Sequence, residues 1–351
     1  MVRTVSGQPG RIPGSEGPAS PAGPAGRRGP ARGAAPGARD ARQRAAVFIR
    51  RHHLTPYALL LPSAVAIGLL LFWPTIQIGE FSLQNYGIPQ VTGVAPTQWV
   101  GAANFTATLS DPEFWLSLRI SVIFAAVVVP LTLVIGTLVG LLLNRLGPKM
   151  STFVSSTAML AWATPAVSAS VIFIWLTDPD GGVVDWTLTK LPSWLGGGAH
   201  WAGFSWTNSA LPVYTLLTVL VLWQGFPFVA VTVLAGLKTI PAELHESARV
   251  DGGGPWRIFW RVTYPLLKPI FLVLLLLSVI WDFGVFTQAY LLTGELGNRD
   301  EYNLGVYAYD RAFTMPPSYG IGSALALILT VILLIITVGY VRASFRQGAV
   351  H

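Results

Sequence analysis

One acidic residue inside a long apolar stretch is the side chain in this sequence most able to do chemistry. Asp282 is the thirteenth of 23 residues in the stretch Ile270–Leu292. If that stretch spans a bilayer, a carboxylate near its centre costs about 2.5–3.5 kcal/mol, so it should face a cavity or a polar partner. In a continuous helix, Ser278, Trp281, Phe286 and Gln288 would lie on the same face as Asp282 or directly beside it. We call this face the Asp282 stripe. An acid that accepts hydroxyl hydrogen bonds next to an aromatic ring is a common arrangement for holding sugars.

Two roles for Asp282 stay open from the residues alone. It lines a route for a polar substrate, or it hydrogen-bonds a neighbouring helix and never meets substrate. Gln224, beside Trp223 in the stretch Leu211–Leu237, is a weaker candidate for the same route. The residues that we predict to line a substrate pathway are Gln224, Ser278, Trp281, Asp282, Phe286 and Gln288.

Most catalytic and cofactor-binding patterns are absent from the sequence. It has no cysteine, which excludes thiolate metal sites and a cysteine nucleophile. Its five histidines lack metal-ligand spacing, and no G-x-S-x-G elbow occurs. No glycine precedes any of the four lysines, although a phosphate-binding P-loop needs a Gly-Lys pair. We therefore expect no enzyme activity and no cofactor bound by this chain.

The composition is that of a protein with several membrane spans. Of 351 residues, 52% are hydrophobic and 11% are charged, whereas soluble domains have about 25% charged residues. The mean hydropathy is +0.55, which leaves too few polar groups to cover a water-facing surface.

Six apolar stretches can each cross a ~30 Å hydrocarbon core as a helix of about 20 residues. They are Tyr57–Ile78, Ser121–Asn144, Phe153–Leu176, Leu211–Leu237, Ile270–Leu292 and Ile321–Val341. Pro130, Pro165 and Pro227 lie inside the second, third and fourth stretches and predict bends. Bends of this kind are tolerated where neighbouring helices or a wet cavity satisfy the freed carbonyls, so they hint at a pathway.

Basic residues orient the spans. Nineteen of the 23 lysines and arginines fall in the N-terminal segment, in the loops after the second and fourth spans, and at the C-terminus. The positive-inside rule then predicts a multi-pass protein of the plasma membrane with both termini cytoplasmic. The net charge of +7 reflects this topology, and no basic patch predicts nucleic-acid binding.

The segment 1–46 differs from the rest of the chain. It holds nine glycines, seven prolines, eight arginines and two acids, and it has no apolar face that folding could bury. We predict a disordered, basic cytoplasmic tail over 1–46 and a six-helix membrane domain over 54–345. A cytoplasmic loop at 238–268 interrupts that domain.

This loop has the pattern of two short helices. Pro241 suits the first turn of one helix, where Glu243 and Glu246 place negative charge near the positive end of the dipole. The run Gly252–Gly254 then supplies a stop with positive φ. The second short helix begins at Pro255.

Aromatic and basic residues separate along the second helix. Trp256, Phe259 and Trp260 share one side, and Arg257 and Arg261 lie four apart on another. The pattern is typical of an interfacial helix with aromatics toward lipid and arginines toward headgroups or a partner. Tyr264-Pro265 is expected to end it, since a residue before proline is pushed out of the helical region.

Small residues mark the surface of the first helix. Ser247 and Ala248 lie beside Leu244, framed by Glu246 and Asp251, and small residues permit close backbone approach by another surface. A solvated surface helix and a docking surface both fit these residues.

Glu246-Ser247-Ala248 is followed after three residues by Gly252, and after nine more by Val262-Thr263-Tyr264-Pro265. This spacing resembles the EAA motif of binding-protein-dependent ABC importer permeases, which reads E-A-A, three residues, G, nine residues, I-x-L-P. Serine, valine and tyrosine replace the first alanine, the isoleucine and the leucine. The preceding Ile240-Pro241-Ala242-Glu243-Leu244 is similar to the I-P-x-E-L extension of sugar permeases.

Stretches from about residue 54 onward also resemble sugar permeases of this family. The similar segments are Ser110–Trp115, Val129–Leu131, Leu141–Arg145, Thr164–Ala166, Trp175–Pro179 and Tyr319–Ala324. The segment after the third span favours the first member of a permease pair of the maltose or glycerol-3-phosphate type. After Thr293-Gly294 the family continues Gly-Gly-Pro, whereas this chain has Glu295-Leu296-Gly297-Asn298.

The resemblance implies an all-α, polytopic membrane protein of six transmembrane helices with the ABC type I importer permease fold. It implies a coupling helix that docks on an ATPase subunit through Glu243, Leu244, Glu246, Ser247, Ala248, Asp251 and Gly252. The implied partners are a second permease subunit, a dimer of ATPase subunits that binds ATP and Mg, and an extracytoplasmic sugar-binding protein. A disaccharide or short oligosaccharide is the expected substrate, and the overall pattern is similar to permeases for chito- or cello-oligosaccharides.

Two other classes of membrane protein remain for comparison. An ion-coupled secondary sugar transporter would act alone and would typically show inverted repeats and several intramembrane ionisable groups. We find no internal repeat and one clear group, Asp282. A membrane enzyme would need a catalytic cluster at the membrane face, and the sequence shows none.

Overall fold

A computed structural model describes residues 54–293, 299–314 and 316–348. The predicted tail at 1–46 and the departure at 295–298 lie outside these ranges. The chain forms two compact units, residues 1–67 and 68–351, of which the first is described only as helix α1, Leu54–Ile67.

The second unit is almost entirely helical. Its helices are α2 Trp73–Ser82, α3 Ile88–Val91, α4 Ala103–Ser110, α5 Pro112–Arg145, α6 Pro148–Ala163, α7 Ala166–Leu176, α8 Val183–Lys190, α9 Ala210–Leu237, α10 Ala242–Val250, α11 Pro255–Ile258, α12 Tyr264–Phe283, α13 Thr287–Thr293, α14 Leu304–Phe313 and α15 Tyr319–Gly348. Two π-helical turns, Gly68–Phe72 and Phe259–Thr263, precede α2 and α12. Short 3₁₀ turns lie at Ser193–Leu195, Ala199–Trp201 and Arg299–Glu301. Two-residue strands β1 Gln84–Asn85 and β2 Gln98–Trp99 pair antiparallel, with Gln84 opposite Trp99.

Five helical segments in the described ranges are long and apolar enough to cross a membrane, and a bent pair makes a sixth. The five are Leu59–Ser82, Pro112–Arg145, Ala210–Leu237, Pro255–Thr293 and Tyr319–Arg342. The bent pair is Pro148–Ala163 with Ala166–Leu176. The six predicted spans therefore each have a counterpart, and the all-α fold class is confirmed.

The long helices α5 and α9 form the centre of the second unit. Gly136 and Gly140, one turn apart on α5, face α9 so closely that an added Cβ at Gly136 would lie 2.5 Å from Val229. A Cβ at Gly140 would lie 2.8 Å from the carbonyl oxygen of Ala230. Small residues at this spacing allow two membrane helices to approach closely, which positions the α9 side chains described below.

The third predicted span is wrong as a single kinked helix. α6 ends at Ala163, α7 begins at Ala166, and the two helices meet at 93°. Pro165 has φ −56° and ψ 137°, and Thr164 is extended as well. Since Pro165 lacks an N–H and disfavours a helical residue before it, the span breaks completely at this point.

The fifth predicted span is also interrupted. α12 ends at Phe283, and residues 284–286 separate it from α13. The stripe predicted around Asp282 is therefore not one continuous helical face. Two of the spans are thus discontinuous, and both breaks lie in the part of the fold that α9 contacts.

The second helix of the loop does not end at Tyr264-Pro265 as predicted. Tyr264 keeps helical angles of φ −60° and ψ −46°, and Pro265 lies in the first turn of α12. The π turn Phe259–Thr263 widens the helix just before the proline, so the ring is accommodated without a break. The interfacial segment and the fifth span therefore form one run of helix.

A paired carboxylate holds the start of α5 to α14. Asp111 is the N-cap of α5 and accepts the Glu113 backbone N–H at 2.9 Å. Its other oxygen accepts hydrogen bonds from the Tyr307 hydroxyl, at 2.7 Å, and from the guanidinium of Arg311. Burial opposes ionisation, but these donors outweigh it and hold the pKa of Asp111 below its ordinary value.

The same contacts change the pKa of Tyr307 in the opposite direction from that of Asp111. Burial, together with the hydrogen bond to the Asp111 carboxylate, raises the pKa of Tyr307 to about 12. The phenol therefore remains a hydrogen-bond donor at neutral pH.

Candidate substrate cavity and coupling loop

The two helix breaks open onto one cavity of about 510 Å³. We call it the broken-helix cavity. Its lining comes from α6 and α7 around Thr164, from α9, and from the segment around residues 284–286. Five of the six residues predicted to line a substrate pathway lie in it: Gln224, Trp281, Asp282, Phe286 and Gln288. The sequence analysis thus found residues that the fold brings together from three helices, α9, α12 and α13, and from the segment between the last two.

The two glutamines connect the two breaks. Gln224 on α9 donates through Nε2 to the carbonyl oxygen of Thr164 at 3.0 Å. Gln288 on α13 donates through Nε2 to Oε1 of Gln224 at 3.1 Å. The break after Thr164 would otherwise leave that carbonyl without its helical partner, so Gln224 replaces the missing backbone donor.

Asp282 differs from the glutamines in its side-chain contacts. It lies one residue before the end of α12 and is 8% exposed, and its carboxylate forms no hydrogen bond or ion pair within the described ranges. The neighbouring-helix partner that was one of its two open roles is therefore not found among those residues. Its carboxylate lies in the cavity lining and can accept hydrogen bonds from a polar solute.

Aromatic rings form one wall of the cavity. Phe228 lies between the rings of Trp162 and Trp281, with centroid distances of 5.6 and 5.5 Å. Both tryptophans line the cavity, so an aromatic surface stands close to Asp282. Trp162 was not predicted, because its place in the lining depends on the 93° bend between α6 and α7.

Ser278 is the predicted residue that the cavity does not include. It is buried on α12, 6% exposed, one turn before Asp282. The helical stripe placed it correctly beside Asp282, but the cavity opens at the end of α12, so residues one turn earlier fall behind the lining.

Asn303 supports the second break and was missed in the sequence. Its Nδ2 donates to the carbonyl oxygen of Val285 at 2.7 Å, and its Oδ1 accepts the backbone N–H of Val306 at 2.9 Å. It is 1% exposed. One side chain therefore caps α14 and satisfies a carbonyl released between α12 and α13. An asparagine just before an apolar helix signals a cap, but nothing in the sequence indicates the distant carbonyl.

The coupling loop, residues 238–268, has a different construction. α10 ends in a Schellman motif, in which Gly253 N–H donates to the Ala248 carbonyl at 2.9 Å and Gly252 N–H to the Arg249 carbonyl at 3.0 Å. Gly252 has φ +77°, which confirms the predicted positive-φ stop. An added Cβ at Gly253 would lie 2.6 Å from the Ala248 carbonyl oxygen, so this position also requires glycine.

α10 presents most of its surface outward. Glu243, Leu244, Glu246 and Ser247 are exposed, as are Asp251 and Gly252, while Ala248 is half-buried. Pro241 is the N-cap rather than the first helical residue, and Glu243 lies in the first turn. On the inward side, His245 Nε2 and Thr263 Oγ1 share a hydrogen bond of 3.2 Å that joins α10 to the π turn.

Comparison with known proteins identifies the family. Residues 132–348 match the family described as "Binding-protein-dependent transport system inner membrane component". The chain belongs to this family. It is a multi-pass permease subunit, which is a transport component and not an enzyme.

Individual relatives cover most of the permease. This chain is 41% identical over 304 residues to the diacetylchitobiose uptake system permease protein DasB of Streptomyces coelicolor. The alignment covers 87% of this chain and 90% of that protein. It is 30% identical over 284 residues to the sulfoquinovosyl glycerol transport system permease protein SmoG of Agrobacterium fabrum, covering 81% and 88%.

A solved structure supports the fold. The permease superposes with a TM-score of 0.70 on a chain of a bacterial ABC transporter involved in the import of alginate, at 22% identity, covering 86% of this chain and 99% of that one. This similarity confirms the type I importer permease fold. Family membership also decides against an ion-coupled transporter acting alone.

Proposed function

We propose that this permease imports a disaccharide or short oligosaccharide, delivered by an extracytoplasmic binding protein, through the broken-helix cavity. The observation that carries the proposal is the convergence of two discontinuous spans on one cavity. Discontinuous helices in transporters line substrate sites, because irregular backbone is tolerated in a membrane only inside protein or beside water.

The chemistry of the lining suits a sugar. Asp282 and the free capacity of the glutamine amides offer hydrogen bonds to hydroxyls, and the tryptophans offer an apolar surface to a sugar face. The relatives named for diacetylchitobiose and sulfoquinovosyl glycerol uptake support a carbohydrate. Of these, diacetylchitobiose is the first substrate to test, since its permease is 41% identical to this chain.

The energy is supplied from outside the chain. We propose that a dimer of ATPase subunits, which bind ATP and Mg, docks on the exposed face of α10 and pairs this permease with a second permease subunit. The Schellman motif and the contact of His245 with Thr263 fix α10 as a rigid projection. Docking on this side agrees with the predicted cytoplasmic position of the loop and of both termini in the plasma membrane.

The test is uptake by the reconstituted importer, with its binding protein and ATPase subunits, of labelled diacetylchitobiose, cellobiose and maltose. We expect ATP-dependent uptake of at least one of these sugars. Uptake of none, with a complex that hydrolyses ATP normally, would overturn the carbohydrate assignment. Uptake that persists without ATP and follows an ion gradient would overturn the proposed energy source.

A further inference from the structure

A second cavity, of about 860 Å³, lies between the end of α5 and the coupling loop. We call it the loop cavity. One wall is the last three turns of α5, and the opposite wall is the run from Pro255 through the π turn into α12. Residues of α10 close one end of it. None of the described residues lines both this cavity and the broken-helix cavity. The proposed transport function does not use the loop cavity.

The walls of the loop cavity are apolar. Val134 and Leu138 on α5 line it and are 55% and 60% exposed. The hydroxyl of Thr137 donates to the Leu133 carbonyl at 2.6 Å, so this side chain leaves no free donor in the wall. On the opposite wall Trp260 lies between Trp256 and Tyr264, at centroid distances of 5.7 and 5.1 Å. Such aromatic rings favour the boundary between hydrocarbon and headgroups.

Positive charge gathers in the lining without a balancing acid. Arg145 lies in the last turn of α5, Arg249 lies in the last turn of α10, and both line the cavity together with Asn144 and His245. No aspartate or glutamate of the described ranges lines it. Neither arginine forms an ion pair with a residue of the described ranges. An arginine in a final turn is explained by the helix dipole, but two from separate helices on one acid-free cavity favour an anion.

We propose that the loop cavity binds one anionic phospholipid, with its phosphate between Arg145 and Arg249 and its acyl chains against the wall of α5. A basic pocket between membrane helices is the arrangement that recognises acidic headgroups. Arg257 and Arg261 do not line the cavity, so they are not the arginines of this site although the sequence pattern pointed to them. Because the lipid contacts both α5 and α10, it joins the coupling helix to the second span.

The test measures lipid binding directly and does not depend on transport. The permease is extracted from membranes with its accompanying subunits, and native mass spectrometry follows titration with phosphatidylglycerol or phosphatidylcholine. We expect phosphatidylglycerol to bind at least about tenfold more tightly, since each arginine near a membrane surface contributes on the order of a factor of five. Equal binding of the two lipids to the unmodified protein would overturn the proposal, whatever the variants show.

Matched double variants locate the site. Arg145→Gln with Arg249→Gln should remove the preference for phosphatidylglycerol. Arg119→Gln with Arg257→Gln removes the same charge from outside the loop cavity and should keep the preference. Equal losses in both variants would mean diffuse electrostatic attraction and would overturn the assignment of the site.

Two other outcomes would also overturn the proposal. Displacement of the lipid by inorganic phosphate alone would show that the acyl chains contribute nothing to binding. Absence of bound phosphatidylglycerol from the complex that contains the second permease subunit would overturn the proposal as well, because it would assign the cavity to that subunit.

Discussion

In the broken-helix cavity, side chains satisfy carbonyls that two helix breaks release, whereas in the coupling loop the backbone satisfies itself. Gln224 reaches the Thr164 carbonyl across 60 residues of sequence, and Asn303 reaches the Val285 carbonyl across 18. The end of α10 is closed by Gly252 and Gly253 within five residues. If the proposed route is correct, the side chains of the cavity can exchange these polar contacts with a solute, while the backbone contacts give the loop a fixed shape.

The largest expected effect comes from breaking the loop backbone. Gly252→Val places a β-branched residue at φ +77°, which costs strain and misplaces both α10 and the helix after it. We expect loss of sugar uptake and of ATPase association, with normal membrane abundance. Pull-down of the ATPase subunit and uptake measure the two losses.

Gly254→Ala is the matched control for that variant. Gly254 has φ −70°, and an added Cβ there has nothing within 4 Å. It should assemble and transport normally. Full uptake by Gly252→Val, or equal loss in both variants, would mean that the Schellman motif is not what positions α10.

The next effect tests the unpaired acid of the cavity. Asp282→Leu removes a hydrogen-bond acceptor from the lining and should raise the half-saturating sugar concentration at least about tenfold or abolish uptake. Asp282→Asn keeps the size and one acceptor oxygen and should have a smaller effect. Ser278→Ala changes a buried residue on the same helix outside the cavity and should leave the half-saturating concentration unchanged. Normal uptake by both Asp282 variants would remove this residue from the route.

These two regions differ in how far the sequence predicts them. The positive φ of Gly252 and the two loop helices follow from local patterns, because each contact spans a few residues. The membrane spans follow from hydropathy in the same way. The complete break at Thr164 was not predicted, since a proline in a membrane helix permits either a bend or a break and the choice depends on neighbouring helices. The end of α12 at Phe283 was not predicted either, because the apolar stretch continues past Gly284 without a proline.

Some residues that line or support the broken-helix cavity were predicted from the sequence, and others were missed. Gln288 and Asp282 were found because a charged or amide side chain in an apolar stretch is conspicuous. Trp162 and Asn303 were missed, since tryptophan is common in this chain and the partner of Asn303 lies in a different element. The continuous helix through Pro265 was also missed, because a π turn leaves no pattern that these residues reveal.

A smaller effect contrasts a paired carboxylate with the unpaired one. The pKa of Asp111 is lowered in the folded protein, so its contribution to stability is present above the ordinary value of 3.8 and is lost as pH falls through the lower folded value. Asp111→Asn should reduce the free energy of unfolding at neutral pH by about 1 kcal/mol and should lack that acid-dependent loss. Thermal unfolding in detergent as a function of pH measures both. Asp180→Asn, an exposed acid, should behave as the unmodified protein.

The smallest effect concerns the side-chain contact that joins α10 to the π turn. Thr263 is 4% exposed, and its hydroxyl shares the 3.2 Å hydrogen bond with His245. Thr263→Val keeps the shape and removes the hydroxyl, which should weaken the attachment of α10 by about 0.5 kcal/mol and lower sugar-stimulated ATP hydrolysis roughly twofold. Thr263→Ser keeps the hydroxyl and should retain normal hydrolysis. The effect is small because the Schellman motif still holds α10, so a loss as large as that of Gly252→Val would show that the side chain, and not the backbone, fixes the coupling loop.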